Sequence, residues 1–166
     1  IAAHPMTGTE KNGPKAAIDN LYEGKTVVLC DLEDNANMHV NKAFKIFQEI
    51  GMRIVVMNSH EHDVNACYIS HLPHLISFSL ANTVMSHQNP KEIIALAAGG
   101  FKDMSRIAKS SPRMWGDIFK QNRKNLLASI DLFESQLQNA RKMVEDENYE
   151  ELEDWMKKAN TLHEIL

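Results

Sequence analysis

The strongest constraint on this chain's fold is a change of pattern near residue 60. Before it, strand and helix signals alternate. "KTVVLCD" at 25–31 is a short β-branched apolar run after Gly24, and "MRIVVMN" at 52–58 is a second. Such runs, bounded by turn formers, read as buried strands. Between them Met38, Ala43, Phe44, Ile46, Phe47 and Ile50 recur at helical spacing over 35–51, with Asn35 or Asn37 as N-cap and Gly51 as the C-terminal stop. Strand, helix, strand with short connections is a βαβ unit and requires a parallel or mixed sheet. Two or three strands do not make a stable α/β sheet alone. Residues 1–59 therefore read as the last part of a larger doubly wound domain.

After residue 60 only helical patterns follow: about 60–87 with an interruption at Pro73, then 90–97, 101–110, 112–121, 122–145 and 148–166. Leu126, Ile130, Phe133, Leu137, Ala140 and Val144 repeat at spacings of four and three, a heptad-like stripe. Leu152, Trp155, Ala159, Leu162 and Leu166 form another. These stripes pack on each other or on a second copy of the chain. The division is thus an α/β remnant over 1–59 and an all-helical domain over 60–166.

A chain of 166 residues is one cored domain, or one domain with a piece of another. A net charge of −4 argues against non-specific binding to nucleic acid or to an anionic membrane. No apolar run approaches the ~18 residues of a membrane span. Cys30 and Cys67 share no repeated spacing, which points to two reduced thiols in a cytoplasmic protein.

Three stretches carry residues suited to chemistry. The first is "IAAHPMTGTEKNGP", where apolar Ile1–Ala3 give out at His4-Pro5 and a polar loop follows. This reads as a strand end, and the place it occupies in a domain leads us to expect that an upstream part is missing. His4 stands where open α/β sheets bind ligands, and imidazole can take a proton near neutrality. The alternative is a surface histidine near a chain end. The second is "HEHDVNACYISHLPH", with His60, His62, Cys67, His71 and His74. His71 and His74 with Cys67 could reach a zinc ion. However, HxxH is a weak signal and neither CxxC nor HExxH accompanies it, so no metal is expected. Structural histidines and pocket-lining histidines both remain open here.

The third is "AAGGFKDMSRIAKSSPRMW", where Lys102 and Arg106 share a helix face after Gly99-Gly100 and Lys109 continues it. A planar guanidinium beside a helix start favours a carboxylate. Asp103 is placed to hold Arg106. A solvated basic face with an intrahelical ion pair is the alternative. The chain holds neither a Walker loop nor GxGxxG. From chemistry alone, these features describe a pocket that binds a small carboxylate.

"HPMTGTEKNGP", "SHLPHLISFSLAN" and "GGFKDMSRIAKSSPRMW" occur in this order and at similar separations in the prephenate dehydrogenases of tyrosine biosynthesis, which the chain resembles over nearly its whole length. The resemblance implies a Rossmann-type NAD-binding domain, here reduced to its last βαβ remnant, followed by an all-helical dimerisation domain. It implies a mainly α homodimer that oxidatively decarboxylates prephenate to 4-hydroxyphenylpyruvate, passing hydride to NAD+. His4 matches the catalytic histidine, Arg106 the arginine that grips a substrate carboxylate, and His74 a second pocket histidine. Lys102 would add positive potential for a dianionic substrate. Glu10, Asp103 and Arg106 resemble ionic partners at the pocket mouth. Trp115 lies near the pocket or in the core, and tyrosine is a candidate feedback inhibitor. The family's glycine-rich loop and upstream serine are not in the chain, so this polypeptide alone is expected to be inactive. Arogenate dehydrogenase and a non-catalytic helical binding module are the alternatives. NAD versus NADP stays open.

Overall fold

The computed structural model describes residues 1–8 and 13–166. Most of them are helical, and a small mixed sheet lies at the N-terminal end. Its strands are β1 (Ala2–Pro5), β2 (Thr26–Cys30) and β3 (Arg53–Met57), in the order β1-β2-β3. β1 runs antiparallel to β2 with His4 opposite Val28, and β2 runs parallel to β3 with Val28 opposite Val55.

Helix α1 (Asn37–Glu49) makes the crossover between β2 and β3. Strand residues alternate between faces, so Val27, Leu29 and Ile54 turn to α1 and pack with Met52, Leu32, Ala43, Phe44 and Phe47. Val27 and Leu29 are fully buried there. Burying each such side chain is worth about 1.5–3 kcal/mol. The cap of α1 differs from the sequence expectation. Ala36 occupies the N-cap position, and Asn37 is the first helical residue. The Asn35 amide instead donates to the Asp31 carbonyl at 2.9 Å, so it closes the preceding turn. Gly51, with φ 83°, ends the helix in the left-handed region as expected.

Helix α2 (Ser59–Ala66) follows β3 directly. Asn58 and Glu61 form a capping box, with Glu61 N–H donating to Asn58 Oδ1 at 2.8 Å. A further helix-start donor, Ser59 N–H, bonds Asp31 Oδ1 at 2.8 Å, and hydrogen bonding by the Ser59 side chain first, then by this backbone N–H, holds the Asp31 carboxyl below its usual range. The start of α2 is thereby fastened to the end of β2. α2 faces the side of the sheet opposite α1, where Met6, Val28, Val55, Met57, Ala66 and Ile69 line a groove of about 350 Å³.

Pro73 does not break the helix that follows. A π-turn at Cys67–His71 precedes α3 (Leu72–Met85), with Leu72 N–H reaching back five residues to the Cys67 carbonyl. The wider turn relieves the crowding that a proline ring causes one turn upstream, and Pro73 lies in the first turn of α3, where its missing N–H matters least. Next come α4 (Pro90–Ala95), α5 (Gly99–Ser105), a 3₁₀ turn at Arg106–Lys109 and α6 (Pro112–Gln121). The buried Ser77 hydroxyl donates to the Met104 carbonyl at 2.8 Å and ties α3 to the end of α5.

The described residues divide into two compact units, Ile1–Leu126 and Leu127–Leu166, with α7 (Arg123–Glu145) running through the boundary. In the second unit, α8 (Tyr149–Asn160) is joined to α7 by Trp155 Nε1–H donating to Gln136 Oε1 at 3.2 Å. Leu137, Val144 and Leu162, three members of the sequence stripes, are exposed. No described helix is long and apolar enough to cross a membrane.

Candidate active site

The register of β1 decides where His4 points. Cross-strand partners share a face, and His4 opposes Val28, whose side chain looks toward α2. One turn into α2, His62 comes up to meet it. His4 Nδ1 and His62 Nε2 are 2.8 Å apart, with the rings edge to face at 5.0 Å. His62 Nδ1 lies 2.9 Å from Asp63 Oδ1. Although much of His4 is open to solvent, desolvation of its ring pushes the pKa below 6.5. The adjacent His62 adds to this, and Asp63 opposes it. The imidazole is therefore largely neutral at physiological pH and able to accept a proton.

A second group forms around Trp115 on α6. The His74 ring stacks on the indole at 3.6 Å and 24°, and His71 meets it edge-on at 6.2 Å. His74 Nδ1 is 2.8 Å from the Ser70 carbonyl. A carbonyl only accepts, so Nδ1 carries the proton and the neutral ring keeps an acceptor lone pair on Nε2. Burial lowers the His74 pKa, the Ser70 bond raises it, and Arg106 lowers it. Arg106 thus lies within electrostatic reach of His74. The two groups are joined through His71 and Asn122. Asn122 Nδ2 donates to the Asp63 carbonyl at 2.7 Å and lies 3.2 Å from His71 Nδ1. Burial lowers the His71 pKa as well.

Trp115 is 6% exposed, and its Nε1–H is buried with no hydrogen-bond partner among the described residues. An orphaned indole donor costs stability unless something accepts from it. The His74 ring stacked on the indole covers this donor from solvent.

Arg106, Lys102 and Asp103 are all exposed. Asp103 forms no ion pair with Arg106 among the described residues, contrary to the sequence expectation; both side chains are exposed, where solvation of each charge leaves a pair little to gain. Glu10 lies outside the described residues. No group of three or more His, Cys, Asp or Glu among the described residues is placed to hold a metal ion. A larger cleft of about 650 Å³ lies in the second unit, between Lys142, Asp146, Glu151 and Lys158, and contains none of these candidates.

A family profile described as "Prephenate dehydrogenase, nucleotide-binding domain" matches residues 1–56, and one described as "Prephenate dehydrogenase, dimerization domain" matches residues 58–158. The chain belongs to the prephenate dehydrogenase family. It is 33% identical over 146 residues to the cyclohexadienyl dehydrogenase of Zymomonas mobilis, covering 87% of this chain and 50% of that protein. It is 32% identical over 160 residues to the prephenate dehydrogenase of Bacillus subtilis, covering 96% and 43%. Its backbone matches the crystal structure of A. aeolicus prephenate dehydrogenase with hydroxyphenyl propionate and NAD+ at a TM-score of 0.89, with 34% identity and coverage of 97% and 57%. The chain spans about half the length of these relatives.

At this candidate site, sequence reasoning did not single out two of the residues that the structure brings together. His62 drew notice only as one of several histidines with metal-ligand character, and Asn122 drew none. "HEHD" places an imidazole beside a carboxylate, which is a signal, but its partner His4 lies 58 residues away and only the strand register brings it near.

Proposed function

We propose that this chain is the substrate-side part of an NAD-dependent prephenate dehydrogenase. It would act on prephenate in tyrosine biosynthesis, with a nucleotide-domain remnant over 1–59 and a helical domain over 60–166. The observation that carries the reading is that two acceptor-bearing histidines, His4 and His74, both lie within electrostatic reach of His71, with Arg106 in turn acting on His74. The two family matches support the division near residue 57.

The residues of this chain fit only the reacting end of the cofactor. The sequence contains no GxGxxG, and Gly8, Gly13 and Gly24 have open space where a Cβ would sit, so none marks a tight backbone cradle. An exposed, neutral imidazole at a strand end does suit a base facing a hydride acceptor. NAD+ supplies that acceptor when it is bound by the rest of the nucleotide-binding domain.

In the reaction, His4 takes the proton of the ring hydroxyl as the carbinol C–H electron pair departs as hydride. The resulting dienone loses the ring carboxylate as CO2. The electrons of that C–C bond flow into the ring, which becomes aromatic, and the proton held by His4 returns to the new phenolate oxygen. Prephenate and NAD+ thus give 4-hydroxyphenylpyruvate, CO2 and NADH with no net proton. Base assistance of this kind is worth ~10²–10⁴-fold. Arg106 binds a substrate carboxylate through its fork, Lys102 adds positive potential for the dianion, and His74 accepts from a polar group of the substrate. Asp103 and Glu10 would set the charge at the pocket mouth. Exposed Leu137, Val144 and Leu162 fit an apolar surface closed by a second copy, and tyrosine is a candidate inhibitor of the same pocket.

The test is steady-state NADH formation by the intact enzyme with prephenate and, separately, with arogenate. A clear preference for prephenate supports the reading. Turnover of arogenate alone would replace it with arogenate dehydrogenase, and no turnover of either would leave a binding module.

A further inference from the structure

We propose that His62, backed by Asp63, is a positioning residue that fixes His4 in the tautomer whose Nε2 is free to take the substrate's hydroxyl proton. This rests on the reading of His4 as the base.

Asp63 Oδ1 stands 2.9 Å from His62 Nδ1. An ionised carboxylate only accepts, so His62 Nδ1 carries a proton. A neutral His62 then has a bare lone pair on Nε2. That atom lies 2.8 Å from His4 Nδ1, a distance that needs one donor and one acceptor. His4 Nδ1 must therefore carry the proton, and its Nε2 is left unprotonated. The order is Asp63 carboxylate, His62 imidazole, His4 imidazole, substrate hydroxyl. It follows the logic by which a buried aspartate sets the tautomer of a catalytic histidine, with one further imidazole interposed.

The surroundings hold His62 in place. Its side chain is 18% exposed, whereas the Asp63 side chain is 56% exposed. Asp63 is pinned through its backbone as well, because the Asn122 amide donates to its carbonyl at 2.7 Å. The capping box at Asn58 and the Ser59–Asp31 bond fix the start of α2 against the sheet. His62 thus reaches His4 from a braced helix turn, which limits the geometric freedom that base catalysis penalises.

His62→Leu removes the acceptor for His4 Nδ1–H, whereas His62→Gln can restore it through the amide oxygen. In the intact enzyme, His62→Leu should lower kcat for prephenate roughly 10- to 100-fold, a part of the ~10²–10⁴ that base assistance provides. KM should change less than about threefold, because His62 does not bind the substrate. His62→Gln should recover most of the lost kcat. Equal losses in both variants, or a loss confined to KM, would overturn the proposal. The wild-type enzyme supplies a second test that needs no variant. Long-range ¹H–¹⁵N spectra of ¹⁵N-histidine-labelled protein should show His4 protonated on Nδ1 and bare on Nε2, and the reverse assignment would refute the relay. If the wild type shows this tautomer but oxidises neither prephenate nor arogenate, the functional reading fails and the catalytic part of this proposal falls with it. If the wild type is active and His4 is protonated on Nε2, the relay alone is wrong.

Discussion

Asn122 tests whether the two histidine groups are joined as described. At the C-terminal end of α6, its Nδ2 donates to the Asp63 carbonyl at 2.7 Å and approaches His71 Nδ1 at 3.2 Å, while its Oδ1 accepts from Asn125 Nδ2 at 2.8 Å. Replacing Asn122 by alanine removes all three contacts. Each ordinary hydrogen bond contributes a net ~0.5–1.5 kcal/mol. The Asn125 amide can turn to water, so its loss counts least. The contacts to Asp63 and His71 join segments 59 and 51 residues apart, and together they amount to about 2 kcal/mol. Asn125→Ala removes only the third bond and should cost under about 1 kcal/mol. Urea unfolding of the intact enzyme measures both values as midpoint shifts at constant slope. Asn122→Ala should also weaken turnover, because Asp63 loses its backbone tether. Equal destabilisation by the two alanines, or no midpoint shift for Asn122→Ala, would refute the reasoning.

His4, His71 and His74 each have a pKa lowered below 6.5, chiefly by desolvation. The folded state therefore holds fewer protons than the unfolded state below that pH, so stability should fall as pH drops from about 6.5 toward the depressed values. Urea midpoints between pH 7 and 5 measure this, and a midpoint that rises on acidification would contradict it. Arg106→Ala should chiefly raise KM for prephenate, by an amount set by the 2–5 kcal/mol that a lost charged hydrogen bond of this kind can cost. Steady-state kinetics with an unchanged KM would remove Arg106 from substrate binding. Trp115→Phe deletes a donor that has no partner among the described residues. It also shrinks a buried ring that packs on His71, His74 and Phe119, so the thermal unfolding midpoint should fall from the cavity left, and an unchanged midpoint would contradict this packing. Leu137→Glu with Val144→Glu, both exposed on α7, should shift the enzyme from dimer to monomer in sedimentation, and an unchanged dimer would place the interface elsewhere.

The elements were legible where local chemistry sets them. The β-branched runs at 25–31 and 52–58 became β2 and β3, and the stripe over 122–145 became α7, because side-chain periodicity matches backbone period. The cap of α1 was misread because Asn35 had a competing use, the Asp31 turn, which capping preference alone does not reveal. Pro73 looked like a break because sequence patterns carry no sign of a π-turn. Candidate residues His4, His74 and Arg106 were visible from their motifs. Their mutual relations were not. The His4–His62 contact depends on strand register and on the placement of α2, and the stacking of His74 on Trp115 joins residues far apart in the chain. The expected Asp103–Arg106 pair does not form because both groups are exposed and water solvates each charge as well as the pair would, which sequence spacing does not reveal.

The role proposed for His4 is that of the base in a prephenate-oxidising centre. Its most direct test is product analysis of the intact enzyme, wild type against His4→Asn, with prephenate and NAD+. The wild type should form 4-hydroxyphenylpyruvate, CO2 and NADH in equal amounts. His4→Asn should lower turnover by at least roughly 100-fold while KM for prephenate stays near the wild-type value. Undiminished turnover in His4→Asn, or NADH formed without CO2, would contradict it.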